Sequence, residues 1–145
     1  NARFPMDEHG GMFFTAWYGV YAPGARRRDY ACAGHHASYL YAAGAERRAL
    51  RTSGPMIGAL PAARYSAACV DVPPAARLYL FSDGAFETTA PDGRDHGLDD
   101  LLPLLDAGAA APLRGEAERA YRAVRARSRP GPLADDCSLL VVDFA

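Results

Sequence analysis

The residues best placed to do chemistry are carboxylates at two strand ends. "RLYLFSDGAFETT", Arg77 to Thr89, is an apolar strand pattern that stops at Ser82-Asp83-Gly84 and carries a second carboxylate, Glu87, four residues on. "ADDCSLLVVDF" sets Asp135 and Asp136 immediately ahead of an apolar closing run. An unpaired charge in an apolar setting is costly, so carboxylates ending buried strands need partners. If the two strands are neighbours, their ends bring Asp83 and Asp135 together at one edge of a sheet. Clustered carboxylates repel one another, and a shared hard cation offsets that repulsion. Oxygen donors of this kind suit Mg2+ or Mn2+. Gly84 allows the tight turn that presents Asp83. Taken singly, each mark is also an ordinary turn or cap, and only the pair points to a cation.

The elements that must position these carboxylates follow from periodicity. Met12 to Tyr21, "MFFTAWYGVY", is aromatic and β-branched and reads as a strand. "APGARR" turns the chain into a second strand, Arg28 to Ala33. "ASYLYA" and "RRALRT" flank a further turn, and Tyr65 to Val72 is a strand ended by "VPPAA". After Ser82 the period changes. Leu98, Leu101, Leu102 and Leu105 lie on one face of a helix. Leu113 to Ser128 is a second helix, with Ala117, Ala120, Tyr121 and Val124 on one side, and "RPGP" breaks it. "CSLLVVDF" is nearly all apolar, the pattern of a central buried strand. The expected fold class is α+β: mostly antiparallel strands with two helices of the C-terminal half packed on a sheet. Residues 1–145 read as a single domain.

Composition narrows the classes of function. The chain has 145 residues, half of them apolar, and a net charge of −1. That is enough for a buried core and excludes a disordered chain. The near-neutral balance gives no electrostatic case for nucleic acid. All basic residues are arginine, and Arg26-Arg27-Arg28 beside a turn reads as a solvated run. No apolar run approaches the roughly 20 residues of a membrane span. Cys32, Cys69 and Cys137 are odd in number and fall in apolar stretches, as buried free thiols of a reducing, cytoplasmic compartment would. Cys32 with His35 and His36 lacks a second ligand pair at zinc spacing. His35 reads as a structural histidine at a turn, and Thr15, Trp17, Tyr18 and Phe86 as core.

Five stretches, in order, resemble one family. "FFTAWYGVY" is similar to a Phe-x-Thr strand, "YACAGHHASYLY" to an Asn-Ala-Gly-His-Pro-Pro segment, and "GPMIG" to Gly-x-Pro-Leu-Gly. "LYLFSDGAFET" is similar to Leu-x-x-x-Thr-Asp-Gly-x-x-Glu, and "DDCSLLVV" to a closing Asp-Asp-x-Thr strand. Together they resemble the metal-dependent protein serine/threonine phosphatases, the PPM family, in the bacterial branch related to stage II sporulation protein E. Cys32 replaces the usual Asn, and His36-Ala37 the prolines.

The resemblance implies a layered α-β-β-α sandwich and two ions, Mn2+ or Mg2+, that activate water for in-line attack on phosphorus. It implies Asp83 and Asp135 as metal ligands, with Glu87 and Asp136 as ligands or supporting groups and Gly84 as the structural turn. The implied substrate is a phosphorylated regulatory protein, such as an anti-sigma-factor antagonist, and the implied partner in cis is an N-terminal sensor domain. Relatives also carry an upstream Asp-Gly element that bridges both metals. Asp7, Glu8 and His9 do not match it, and the chain opens "NARFPMDEHGG". The expectation is therefore a C-terminal part of a larger catalytic domain. Two other readings stay open: a non-catalytic phosphatase-like module, and a two-metal small-molecule phosphohydrolase.

Overall fold

The computed structural model describes residues 1 and 3–144. Seven strands and two helices occur in the order β1 (Ala16–Ala22), β2 (Arg27–Ala33), β3 (Ser38–Tyr41), β4 (Arg48–Leu50), β5 (Ala67–Asp71), β6 (Ala76–Phe81), α1 (Leu98–Ala109), α2 (Glu116–Arg127) and β7 (Leu139–Phe144). The chain divides into two compact units, Asn1–Ser38 with Ala49–Pro73, and Tyr39–Arg48 with Pro74 onward. Each expected element is present, and the fold class is α+β with antiparallel sheets and two helices.

The first unit holds a sheet of order β1-β2-β5. Pro23–Ala25 forms a short 3-10 turn between β1 and β2, and Arg26 leaves it with φ 45°. The arginine run here is not simply solvated. Arg26 donates to the carbonyls of Val72 and Pro73, Arg27 pairs with Asp29, and the Arg28 guanidinium lies over the Trp17 ring at 5.1 Å. Two motifs of the sequence meet within this unit. Gly34 has φ +67°, and a Cβ there would stand 2.8 Å from the Met56 Cα, so "AGHH" and "GPMIG" approach backbone to backbone. Thr15 and Tyr18 are exposed, Tyr18 by 68%, and Trp17 is partly buried, whereas Phe86 in the second unit is buried as expected. β1 is an edge strand, so alternate residues of an aromatic run can face outward. Cys69, on edge strand β5, is likewise exposed, and Cys137 is half-buried; only Cys32 is a buried thiol.

The second sheet runs β4-β3-β6-β7, with β6 antiparallel to both β3 and β7. Ala76, Leu78, Tyr79 and Phe81 of β6 are buried, so both faces of this strand are covered. Leu101, Leu102 and Leu105 bury one stripe of α1, each burial stabilising by about 1.5–3 kcal/mol. Asp100 accepts from the Gly97 N–H at the head of α1, and that bond, with the Arg94 contact, holds its carboxyl below the ordinary range. α2 buries Ala120 and Val124. β7 differs from the expected central strand: it ends the sheet order, and Leu140 is 57% exposed. Its apolar run pairs with β6 on one side only and packs against α2. Composition reports burial of faces and says nothing of how many neighbours a strand has.

Candidate metal centre

The β6–β7 ladder runs from Ala76↔Phe144 to Phe81↔Leu139. Past Phe81, Ser82 extends it by one further clasp. The Ser82 N–H donates to the Ser138 carbonyl at 3.0 Å, and the Ser138 N–H donates to the Ser82 Oγ at 2.9 Å. The same hydroxyl donates to the Asp136 carbonyl at 2.8 Å. Gly84 then lies against the facing main chain. A Cβ at this buried position would stand 2.5 Å from the Asp136 oxygen and 3.1 Å from the Asp135 oxygen. The missing side chain is what lets the two acidic segments close together. Its φ needs no glycine, so the constraint is close approach rather than conformational freedom.

Asp83 opens a 3-10 turn, Asp83–Ala85. Its carbonyl accepts from Phe86 and Glu87, both at 2.8 Å, which sets Glu87 one turn further along. Each of two candidate carboxylates stiffens its own turn: Asp83 Oδ1 accepts from the Gly84 N–H at 3.0 Å, and Asp135 Oδ1 from the Asp136 N–H at 2.7 Å. Asp83, Glu87, Asp135 and Asp136 are all exposed. The structure thus brings the Asp83 turn against the Asp135-Asp136 segment and leaves Glu87 on the following turn. The donors are carboxylate oxygens, a chemistry that fits a hard divalent cation. Among the described residues no group of three or more His, Cys, Asp or Glu converges as a metal-holding set. The fit is therefore in donor type and in the meeting of the two acidic segments.

A cavity of about 590 Å³ borders Asp135 and Asp136, lined also by Tyr121, Arg125, Leu133 and Cys137. Burial pushes the Cys137 thiol up from its ordinary value. A larger cavity, about 690 Å³, involves Tyr41, Arg47, Arg77 and Asp106 and none of the candidate ligands. Its Tyr41, Arg47, Asp106 and Arg77 side chains all have hydrogen-bond partners. Asp106 accepts from Tyr41 at 3.0 Å and from Arg47 at 2.7 Å, and Arg77 forks onto Asp143 at 2.5 and 2.9 Å while donating to the Gly108 and Ala111 carbonyls. Burial, then the Asp106 bond, raises the Tyr41 phenol well above its ordinary value. Glu116, only 1% exposed, accepts from the Tyr79 hydroxyl at 3.0 Å and pairs with Arg119 at 2.6 Å. Apart from Glu116–Arg119, which are three residues apart in α2, the partners in these pairs come from distant elements, out of reach of sequence spacing. Only apolar strand context around Arg77 and Tyr79 hinted that they needed one.

The family model for stage II sporulation protein E, SpoIIE, matches residues 1–145, the whole chain. The chain belongs to the SpoIIE family. Solved structures agree on the fold. The SiaA-PP2C domain of Pseudomonas aeruginosa is 24% identical over 83% of this chain and 48% of its own, with a TM-score of 0.70. The RsbU and RsbW domains of a Mycobacterium tuberculosis protein align at 20% identity over 97% of this SpoIIE-family chain and 38% of theirs, at 0.74. The Mn-presoaked phosphatase domain of Bacillus subtilis SpoIIE aligns at 16% identity, 90% and 56% coverage, and 0.68. Among curated proteins none matches. The fold is thus that of the PP2C, or PPM, phosphatase domains, and the chain spans about half the length of the solved domains it matches. No helix among the described residues is long and apolar enough to cross a membrane.

Proposed function

We propose that this SpoIIE-family chain forms part of a divalent-metal-dependent phosphoserine/phosphothreonine protein phosphatase that acts on a phosphorylated bacterial regulatory protein. One observation carries the reading: the Asp83 turn and the Asp135-Asp136 segment are clasped together by Ser82 and Gly84. Family membership supplies the chemical class, and the fold of the phosphatase domains supports it.

In this proposal Asp83 and Asp135 hold Mn2+ or Mg2+, with Asp136 and Glu87 supporting them by ligation or orientation. The bound metal supplies Lewis acidity toward phosphoryl oxygens and acidifies water near neutral pH. The chain's own part is to fix where the negative charge sits. Ser82 and Gly84 fix the spacing of the acidic main chains, and the Gly84 and Asp136 N–H groups lock the two turns. Rigid placement of this kind lets electrostatic stabilisation act without reorganisation in the transition state. The exposed setting of all four carboxylates suits a protein substrate better than a small molecule enclosed in a deep pocket.

The test is Mn2+ titration by calorimetry and a phosphopeptide assay on the full-length protein that carries this domain. Saturable Mn2+ binding with Mn2+-dependent release of phosphate from phosphoserine or phosphothreonine peptide is expected. Tight Mn2+ binding with no turnover would favour the non-catalytic phosphatase-like module.

A further inference from the structure

We infer that Arg125 is a positioning residue for the metal centre: it pins the loop that delivers Asp135 and Asp136 onto helix α2, and through that loop it sets the affinity for the divalent cation. The inference rests on the metal-centre reading above. After α2 the chain runs "RPGPLADD" from Arg129 to Asp136, without helix or strand. Both ends of this loop are tied by main-chain groups. The Arg129 N–H donates to the Thr89 carbonyl at 2.7 Å, and the Asp136 carbonyl accepts from Ser82. Between them, among the described residues, the loop is held by one side-chain bond, from Arg125 Nη2 to the Gly131 carbonyl at 2.6 Å. Gly131 is at φ +104°, a conformation that other residues rarely adopt.

A second observation sets Arg125 apart from a surface arginine. Its Nη1 is buried and has no hydrogen-bond partner among the described residues. A flexible arginine would ordinarily keep that donor in water, because burying it unmet is costly. Arg125 also lines the cavity that Asp135, Asp136 and Tyr121 line. The guanidinium is thus held beneath the loop by its surroundings. Arg122, one turn away in α2, offers the contrast: its side chain is 76% exposed and pairs only with Glu118.

Two effects oppose each other when Arg125 is removed. Loss of the pin lets Asp135 wander, which weakens cation binding. Loss of a nearby positive charge strengthens it. No carboxylate lies within ion-pair distance of Arg125 among the described residues, and the aspartates are exposed, so screening leaves the charge effect small. The positioning effect wins.

The experiment compares Arg125→Ala, Arg125→Lys, Gly131→Ala and Arg122→Ala in the full-length protein. It reads the Mn2+ dissociation constant by calorimetry, the apparent Mn2+ activation constant, kcat at saturating Mn2+, and Tm. Arg125→Ala should raise the Mn2+ dissociation constant about threefold to tenfold, the worth of one ordinary hydrogen bond. Raising Mn2+ should recover part of the phosphopeptide turnover that Arg125→Ala loses at low Mn2+, since the variant lacks a loop anchor and keeps all four candidate carboxylates. Arg125→Lys should recover part of the affinity. Gly131→Ala, which strains the acceptor side of the same bond, should shift affinity the same way, and Arg122→Ala should not. Unchanged or tighter Mn2+ binding in Arg125→Ala overturns the inference, as does a loss that simply tracks Tm across all four variants. Wild-type protein that neither binds Mn2+ nor hydrolyses phosphopeptide overturns the functional reading itself, an outcome distinct from the other two.

Discussion

Gly84→Ala tests the closure of the two acidic segments directly. The added Cβ would stand 2.5 Å from the Asp136 oxygen and 2.8 Å from its carbonyl carbon. A carbon meeting a carbonyl oxygen ordinarily stops at about 3.4 Å, so the facing backbones must part by about 0.9 Å. Both sides of the clash are main chain, and neither can swing away as a side chain would. The Ser82 bonds to Asp136 and Ser138 resist the separation from one side, and the β6–β7 ladder from the other. Overpacking of this kind costs about 1–3 kcal/mol. In a domain of this size that lowers Tm by roughly 3–10 °C. The functional effect should be larger, because a displacement near 1 Å at a reacting centre can cost about a hundredfold in rate. The assays are thermal denaturation, Mn2+ calorimetry and phosphopeptide turnover in the full-length protein. Gly24→Ala is the control: its Cβ would meet nothing within 4 Å and its φ is ordinary, so it should be neutral within about 0.5 kcal/mol. Gly84→Ala with wild-type Tm, Mn2+ affinity and turnover would refute the reasoning that this glycine is there for close approach.

Three further outcomes follow from the same structure. Asp83→Asn keeps the shape of an exposed turn while removing a charge, so the fold should persist and Mn2+-dependent turnover should fall at least about a hundredfold; near-normal turnover would remove Asp83 from the site. Glu116→Ala strips the buried Tyr79 hydroxyl and Arg119 of their shared acceptor, and chemical denaturation should report a loss of roughly 1–3 kcal/mol. Burial, with the Glu116 bond, pushes the Tyr79 phenol up to about 12. Because the folded value is raised, the stability this residue contributes is whole below the unfolded value near ~10 and is lost as pH rises through the folded one. Wild-type Tm should therefore fall between those pH values more steeply than that of Tyr79→Phe, and parallel curves would count against the assignment.

The ends of β6 and β7 were legible because acidic and small residues mark each, whereas their pairing was a condition that the ladder then met. Leu98, Leu101, Leu102 and Leu105 were legible because helical spacing survives in one dimension. What was hidden depended on the third. Arg77 reads as a strand start until Asp143 and two α1-end carbonyls are brought to its guanidinium. Glu116 lies in the first turn of α2, where a carboxylate is ordinarily solvated, yet Tyr79 and close approach to Gly108 make it one of the most buried side chains. Tyr18 and Cys69 looked internal by composition, but both sit on edge strands where a face can be left open. The acidic pair itself was half legible. Position at strand ends allowed the segments to meet if the strands were neighbours, and the Ser82 clasp and the Gly84 contact that make them meet needed coordinates.

The Ser82 clasp also has a consequence in time. Ser82 and Asp136 are 54 residues apart in the chain, with both helices between them. Bringing such distant points together costs loop-closure entropy before any contact repays it, and contacts of that kind tend to form late in folding. A cation that needs both ends has little to hold in a chain that has not yet paired β6 with β7. Interactions missing from the rate-limiting barrier act on the escape from the native state rather than on its formation. The divalent ion would then leave the refolding rate of this protein nearly untouched and lengthen the lifetime of the folded form, so that metal loss would be felt first as faster unfolding.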